Sequence, residues 1–409
     1  MINIAVLGYG TVGSGVVEVI DKHNAAIGKR IGNDIHIKYV LDLRDFPGDR
    51  VESILVHDFD IILNDPEVKI VVEVMGGVEP AYTFVKKCLL AGKSVCTSNK
   101  ELVAAHGPEL IKIARERNLN FLFEASVGGA IPVIRPINSS LTADKILEIK
   151  GILNGTTNYI LTQMSTQGWE LEDALHKAQE LGYAERDPEA DIEGYDACRK
   201  IAILSSLAFG HNVSYEKVYT EGISKITATD IRYAAAMDCA IKLLASSYCE
   251  DGRYYAMVAP FIVRSDHPLY AVSGVYNAIF VRGTDIGDVM FYGSGAGKLP
   301  TACAVVSDVV DAAKHIDKHI YTFWSDEDLE LSGIENATRS FFVRITGKRA
   351  DLEDKIGSEF GNVRFLSVDE DPDGFGFVTP AVTESSFFEH LKNIPGVAAR
   401  IRLEQPLGS

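Results

Sequence analysis

Gly8-Tyr9-Gly10-Thr11-Val12-Gly13 constrains the fold more than any other part of the chain, because it follows an apolar run, Ile2 to Leu7, and opens a helical pattern. A strand that turns through Gly-x-Gly-x-x-Gly into a helix predicts a dinucleotide-binding βαβ unit. Gly8 permits the tight turn, Gly10 lets the backbone approach a pyrophosphate, and Gly13 lets the helix pack on the strand. The first helical amides, at Thr11 and Val12, then face the phosphates.

The rest of the first third keeps that rhythm. Ile35 to Leu41, Ile70 to Val74, Ser94 to Cys96 and Asn120 to Phe123 read as strands, with a helix over Pro80 to Ala91 stopped at Gly92. The pattern predicts an α/β fold, a doubly wound parallel sheet of the Rossmann type over residues 1–130. After its second strand, Asp42 suits an adenine ribose and Arg44 the extra phosphate of NADP. The choice between NAD and NADP stays open at this point, with a lean to NADP.

From Ile131 the texture changes. A strand over Ile146 to Leu153, helices over Leu171 to Leu181 and Asp191 to Phe209, and strands over Tyr254 to Val263 and Ala278 to Arg282 predict an α+β domain over 131–299. Its antiparallel or mixed sheet would carry the helices on one side and suit dimerisation. The run Gly293 to Gly297 and a helix from Thr301 to about His315 return the chain to the first domain, completing it near 300–320. Ser325 to Asn336 reads as an acidic linker. Over 339–409 the order is β-α-β-β-α-β: Phe341 to Thr346, Leu352 to Phe360, Val363 to Val368, Gly376 to Val382, Ser385 to Leu391 and Ala398 to Leu403. That is the order of a ferredoxin-like module.

Charge narrows the partners. A formal charge of −17 over 409 residues argues against nucleic acid or an anionic membrane, both of which need a basic patch. The apolar run at Met1 has no basic flank and is too short for a signal or membrane segment, so a soluble, cytoplasmic protein is expected. Six scattered cysteines without a Cys-x-x-Cys pair read as reduced, buried thiols. His315 and His319, near enough for one helix face, read as surface histidines rather than metal ligands.

Val95-Cys96-Thr97-Ser98-Asn99-Lys100 resembles the Thr-Ala-Asn-Lys segment of the homoserine dehydrogenase family, with Ser98 replacing alanine. Gly151 to Leu161 (GILNGTTNYIL) resembles a second family motif, and Gly182-Tyr183-Ala184-Glu185 through Asp187-Pro188 to Gly194, Asp196 and Lys200 resembles the family signature. Glu124 to Pro132 and Gly293 to Thr301 extend the likeness, although Ser294 and Lys298 depart from the expected glycine run. The resemblance implies reversible, NAD(P)-dependent oxidation of L-homoserine to L-aspartate 4-semialdehyde, on the route to threonine and methionine. With no kinase segment before Met1, the monofunctional form is expected.

The resemblance makes Lys200 the proton donor and acceptor, with Lys100 orienting the substrate hydroxyl and the cofactor and sharing the proton transfer as the open alternative. Lysine suits this work when burial or a second cation lowers its affinity for protons. Glu185, Asp196, Asp191, Tyr183 and Thr156 would hold the substrate. Gly8, Gly10, Thr11, Val12, Gly13, Arg44, Ser98, Lys100, Gly182 and Gly297 would meet the cofactor. Asp196 and Lys200 stand four apart on one predicted helix face, a spacing equally common in plain solvated pairs.

Glu124 with the carbonyls of Val127, Gly129 and Ile131 resembles the family's structural monovalent-cation site, which predicts sodium. The C-terminal module resembles an ACT domain, which implies an amino-acid effector. Lys348-Arg349-Ala350-Asp351 stands where a Pro-Gly turn is usual, so a packing or dimerisation appendage remains equally open. A homodimer or tetramer is expected. The rivals are another small-carbonyl reductase (aspartate dehydrogenase, or an aspartate semialdehyde dehydrogenase, which needs a cysteine nucleophile that no motif here supplies) and a non-catalytic NAD(P)-sensing regulatory protein.

Overall fold

The computed structural model describes residues 1–405. In chain order the first part forms β1 (Ile2–Leu7), α1 (Thr11–Ile31), β2 (Ile35–Leu41), β3 (Leu55–Val56), α2 (Phe59–Asn64), β4 (Val68–Glu73), α3 (Ala81–Leu90), β5 (Ser94–Thr97), α4 (Lys100–Glu116), β6 (Phe121–Leu122) and α5 (Ile134–Ser139). The sheet order is β3-β2-β1-β4-β5-β6, with parallel pairing throughout. Ile4, Ala5, Val6 and Leu7 are fully buried, as a strand covered by helices on both faces must be. The order reverses between β1 and β4, which opens a crevice at the carboxyl ends of the strands. The short β3 and α2 carry too few residues to show a sequence period, and the strand expected over Asn120 to Phe123 shrinks to two residues.

Next come β7 (Ile146–Ile152), α6 (Gly155–Gln167), α7 (Leu171–Glu180), α8 (Glu189–Ile192), α9 (Tyr195–Phe209), β8 (Tyr219–Thr220), α10 (Ala228–Ala236), β9 (Cys239–Glu250), β10 (Arg253–Arg264), β11 (Tyr276–Gly283), β12 (Asp288–Ser294) and α11 (Lys298–Lys314). One correction matters for the site: the helix expected over Asp191 to Phe209 is two helices. Gly194, at φ 81°, breaks them apart, and a Cβ there would meet Val258 at 3.1 Å. Asp191 therefore stands on α8 and Asp196 on α9. α11 ends at Lys314, so His315 and His319 do not share a helix face; each presents Nδ1 to a backbone carbonyl, of Asp311 and Leu119 respectively.

The last part is β13 (Thr338–Arg339), β14 (Phe341–Thr346), α12 (Arg349–Phe360), β15 (Arg364–Leu366), β16 (Gly374–Val378), β17 (Val382–Thr383), α13 (Glu384–Leu391) and β18 (Val397–Leu403). Its strands run β18-β14-β16-β15, all antiparallel, around a core in which Phe341 stacks on Phe387 at 3.7 Å. This sheet does not stand apart. β18 pairs in parallel with β10 through Arg402 and Leu403, so a single sheet runs β12-β11-β7-β9-β10-β18-β14-β16-β15, with β8 also on β10.

The chain forms two compact units: Met1–Ile146 with Ala202–Tyr215 and Phe291–Leu329, and Leu147–Ile201 with Glu216–Met290 and the chain from Glu330 onward. In the first, α11 packs along α1. In the second, α6 and α10 pack on β9, while Ile152, Leu244, Phe261, Leu269 and Phe280 form an apolar cluster on the sheet. The acidic stretch read as a linker is stitched down, by Asn212 N to Glu327 O at 2.7 Å in the first unit and Ser332 N to Tyr254 O at 2.8 Å in the second. None of the six cysteines is in a disulfide, but Cys303 is exposed and Cys249 half-buried, because the helix face and the strand end that carry them are uncovered. Among the described residues no helix is long and apolar enough to cross a membrane.

Candidate active site

In the first unit, Gly8 takes φ 97°, a conformation open chiefly to glycine. A Cβ on Gly13 would lie 2.0 Å from Gly8 O, so α1 seats against the turn only because residue 13 has no side chain. A Cβ on Gly10 would meet nothing within 4 Å. No side chain caps α1, which leaves the amides of Thr11 and Val12 to an outside acceptor such as pyrophosphate. A cavity of about 520 Å³ opens here, its wall including Gly8, Gly10, Asp42, Arg44, His57 and Met75.

β2 stops at Leu41, so Asp42 and Arg44 lie beyond the strand, and they bond each other. Arg44 Nε donates to Asp42 Oδ1 at 2.9 Å and Tyr9 N donates to Oδ2 at 2.8 Å. The guanidinium, then the Tyr9 and Arg44 amides, hold the Asp42 carboxyl well below the usual carboxylate range. The Arg44 side chain stays 62% exposed at the cavity mouth.

Ser98 and Lys100 sit where β5 turns into α4, and sequence reasoning missed what fixes that turn. Glu73, fully buried at the end of β4, accepts the Thr97 hydroxyl at 2.6 Å and the Met75 amide at 2.8 Å; burial pushes its carboxyl up. Thr97 Oγ1 accepts Asn99 N at 2.9 Å, Asn99 Oδ1 caps α4 at Leu102 N, and its Nδ2 donates to Gly77 O at 2.6 Å. Lys100 is the first residue of α4, where the helix dipole opposes an ammonium.

In the second unit Asp196 and Lys200 share a face of α9. Lys200 Nζ donates to Asp196 Oδ2 at 2.7 Å and to Leu153 O at 2.8 Å, and both side chains are nearly buried, 11% and 5% exposed. That separates them from a solvated surface pair. Asn154, quoted in the motif but not singled out, joins them: its Nδ2 donates to Asp191 Oδ1 at 2.7 Å and to Asp196 Oδ2 at 2.9 Å. Burial pushes the Asp191 carboxyl up, with the Asp196 charge adding to it. Thr156 Oγ1 donates to Tyr183 O at 2.7 Å. Glu185 is exposed on the turn after α7, outside this network, where its carbonyl accepts Gln179 Nε2 at 3.1 Å. Gly182, at φ 73°, ends α7, and Gly297, at φ 124°, precedes α11.

In the predicted cation loop Glu124 already has partners. Its carboxylate accepts the amides of Val133, Ile134 and Arg135 at 2.7, 2.8 and 2.8 Å, so three of its acceptor positions serve the start of α5. Val127, Gly129 and Ile131 are buried, and among the described residues outside regular elements no backbone amide donates to their carbonyls. Buried carbonyls without donors suit a hard cation.

Comparisons with known proteins point to one family. Residues 8–124 match the family model for the NAD-binding domain of homoserine dehydrogenase, and residues 132–310 match the model for homoserine dehydrogenase. A homoserine dehydrogenase from a Synechocystis strain is 40% identical over 90% of this chain and 83% of its own length. The crystal structure of a homoserine dehydrogenase from Thiobacillus denitrificans is similar at a TM-score of 0.89 and 33% identity, covering 99% of this chain and 98% of that one. A hyperthermophilic archaeal homoserine dehydrogenase mutant in complex with NADPH is similar at a TM-score of 0.64 and 30% identity, over 76% of this chain and 97% of that one.

Proposed function

The chain belongs to the homoserine dehydrogenase family, and on that premise we propose that it interconverts L-homoserine and L-aspartate 4-semialdehyde with Lys200 as the proton carrier. Bound NAD(P) supplies the hydride acceptor or donor. The network from Lys200 through Asp196 and Asn154 to Asp191 carries the reading. An ammonium has three donors; Asp196 and Leu153 O take two of Lys200's, and the third serves the substrate oxygen. In reduction that donor passes a proton to the aldehyde oxygen. In oxidation Lys200 takes the hydroxyl proton, and because the overall reaction releases a proton, alkaline pH favours the oxidation of homoserine.

Asp191 carries no salt bridge among the described residues and attracts the substrate ammonium, with Glu185, Tyr183 and Thr156 completing the pocket. Thr11 and Val12 amides take the pyrophosphate, Ser98, Gly182 and Gly297 meet the cofactor, and Lys100 is the second candidate for proton transfer. Arg44 pairs with the 2′-phosphate, which favours NADP. A monovalent cation, sodium by the family resemblance, binds the carbonyls of Val127, Gly129 and Ile131, with Glu124 shaping the loop rather than lending its carboxylate. The C-terminal module is read as ACT-like, an effector site or a packing element, in a cytoplasmic homodimer or tetramer.

The test is initial-rate formation of NADH or NADPH with L-homoserine at alkaline pH, for wild type and Lys200→Ala after both are shown to be folded. Homoserine-dependent turnover, lost at least about a hundredfold in the variant, is expected. Full activity in Lys200→Ala moves the proton to Lys100; no wild-type turnover with either cofactor leaves the sensor reading.

A further inference from the structure

Asn154 does two jobs with the two ends of one amide. Its Oδ1 accepts Thr157 N at 2.9 Å and the Thr157 hydroxyl at 3.0 Å, which caps α6. That bond sets the orientation of the amide, because the reverse would aim Oδ1 at two carboxylates. The two hydrogens on Nδ2 therefore go one each to Asp191 and Asp196. Asn154 is buried, so neither carboxylate gets equivalent help from water.

Capping alone does not call for asparagine. Ser and Asp cap about as well, yet neither offers an amide donor on the far side. We propose that Asn154 is a positioning residue that holds Asp191 of α8 and Asp196 of α9 on one donor fork, and through Asp196 fixes the seat of Lys200. Without the fork, two carboxylates brought together across the Gly194 break repel, and the one that lacks an ammonium, Asp191, holds its proton more tightly. The groups facing Asp191 are Asn154 before α6, Thr156 on α6, and Asp196 and Lys200 on α9. Of these the Asn154 bond is the largest that favours its ionised form.

This rests on the homoserine reading, so the test keeps the two apart. Wild type, Asn154→Ser and Asn154→Asp are compared in kcat/KM for L-homoserine between pH 6 and 8.5, with the affinity for NADPH measured separately by fluorescence. Both variants retain a cap acceptor for α6, so both fold and bind NADPH as wild type does. Loss of a hydrogen bond to a charged group lowers kcat/KM of Asn154→Ser about tenfold or more near pH 6. That deficit shrinks as rising pH returns Asp191 to its ionised form. Asn154→Asp, with a third carboxylate in the cluster, shows a larger deficit at pH 6 and a steeper recovery. A wild-type profile in Asn154→Ser, or a loss equal at every pH, overturns the positioning role while leaving the activity intact. Absent turnover in wild type overturns the activity, and this role with it.

Discussion

Nη1 of Arg402, on β18, donates to Oε2 of Glu221 at 2.7 Å, tying the C-terminal module to the loop beneath α8. The same guanidinium is held by Glu384 at 2.9 and 2.8 Å. Two residues beyond Glu221, Ile223 N donates to Ile192 O at 2.9 Å, next to Asp191. The module thus braces one wall of the candidate substrate pocket.

Arg402→Met is expected to lower unfolding stability by about 3–5 kcal/mol, the usual result of breaking a buried ion pair, since Glu221 loses its cation and Glu384 keeps only Arg339 at 3.3 Å, and to raise KM for homoserine. Urea denaturation and steady-state kinetics check this. Unchanged stability would show that Glu384 and Glu221 find other partners.

Lys242 gives a pH test. It is buried on β9 and donates to Val272 O, and burial alone lowers its ammonium from 10.5 to about 8. Between about pH 8 and 10.5 the unfolded chain binds more protons than the folded one, so this group's contribution to stability rises with pH across that window. Below it the buried charge costs about 3 kcal/mol. Lys242→Met is therefore expected to stabilise by about 1–2 kcal/mol at pH 7, the rest being lost with the bond to Val272, and by nothing at pH 10. Equal effects at both pH values would refute the desolvation account.

Much of this was legible beforehand. Ile2 to Leu7 reads as a strand because burial on both faces demands a β-branched run, and the glycine motif follows from the turn's geometry. β9 was not legible: its centre, Ile241 to Ser247, is buried throughout, so CAIKLLASSYCE has no alternation to betray a strand. Asn154 hid for another reason. An asparagine before a helix is an ordinary cap, and only the approach of α8 and α9 across Gly194 gives its other end a use. The pairing of β18 with β10 spans too much chain for any local pattern to encode.

Cofactor choice is tested at Arg44. Arg44→Ala is expected to raise KM for NADP about tenfold or more while changing KM for NAD less than about twofold, because only the former carries the phosphate. A matched rise for both would assign Arg44 to holding Asp42 instead.

The cation loop predicts ion-specific stability. At equal ionic strength, the thermal midpoint is expected to be higher in sodium chloride than in choline chloride, since a ligand of the folded state alone stabilises it. Glu124→Gln should keep that difference while losing about 1–3 kcal/mol, as one of the amides at the start of α5 is left facing an NH₂ group. Equal midpoints in both salts would remove the cation.

The parallel seam between β10 and β18 also governs the order in which the protein can be made. β10 holds β9, and β9 holds β7, the strand that delivers Leu153 and Asn154. During synthesis that sheet waits with part of β10's outer edge bare until Arg402 and Leu403 clear the ribosome. Nascent chains stalled short of β18 are therefore the form most exposed to proteases and to pairing with one another.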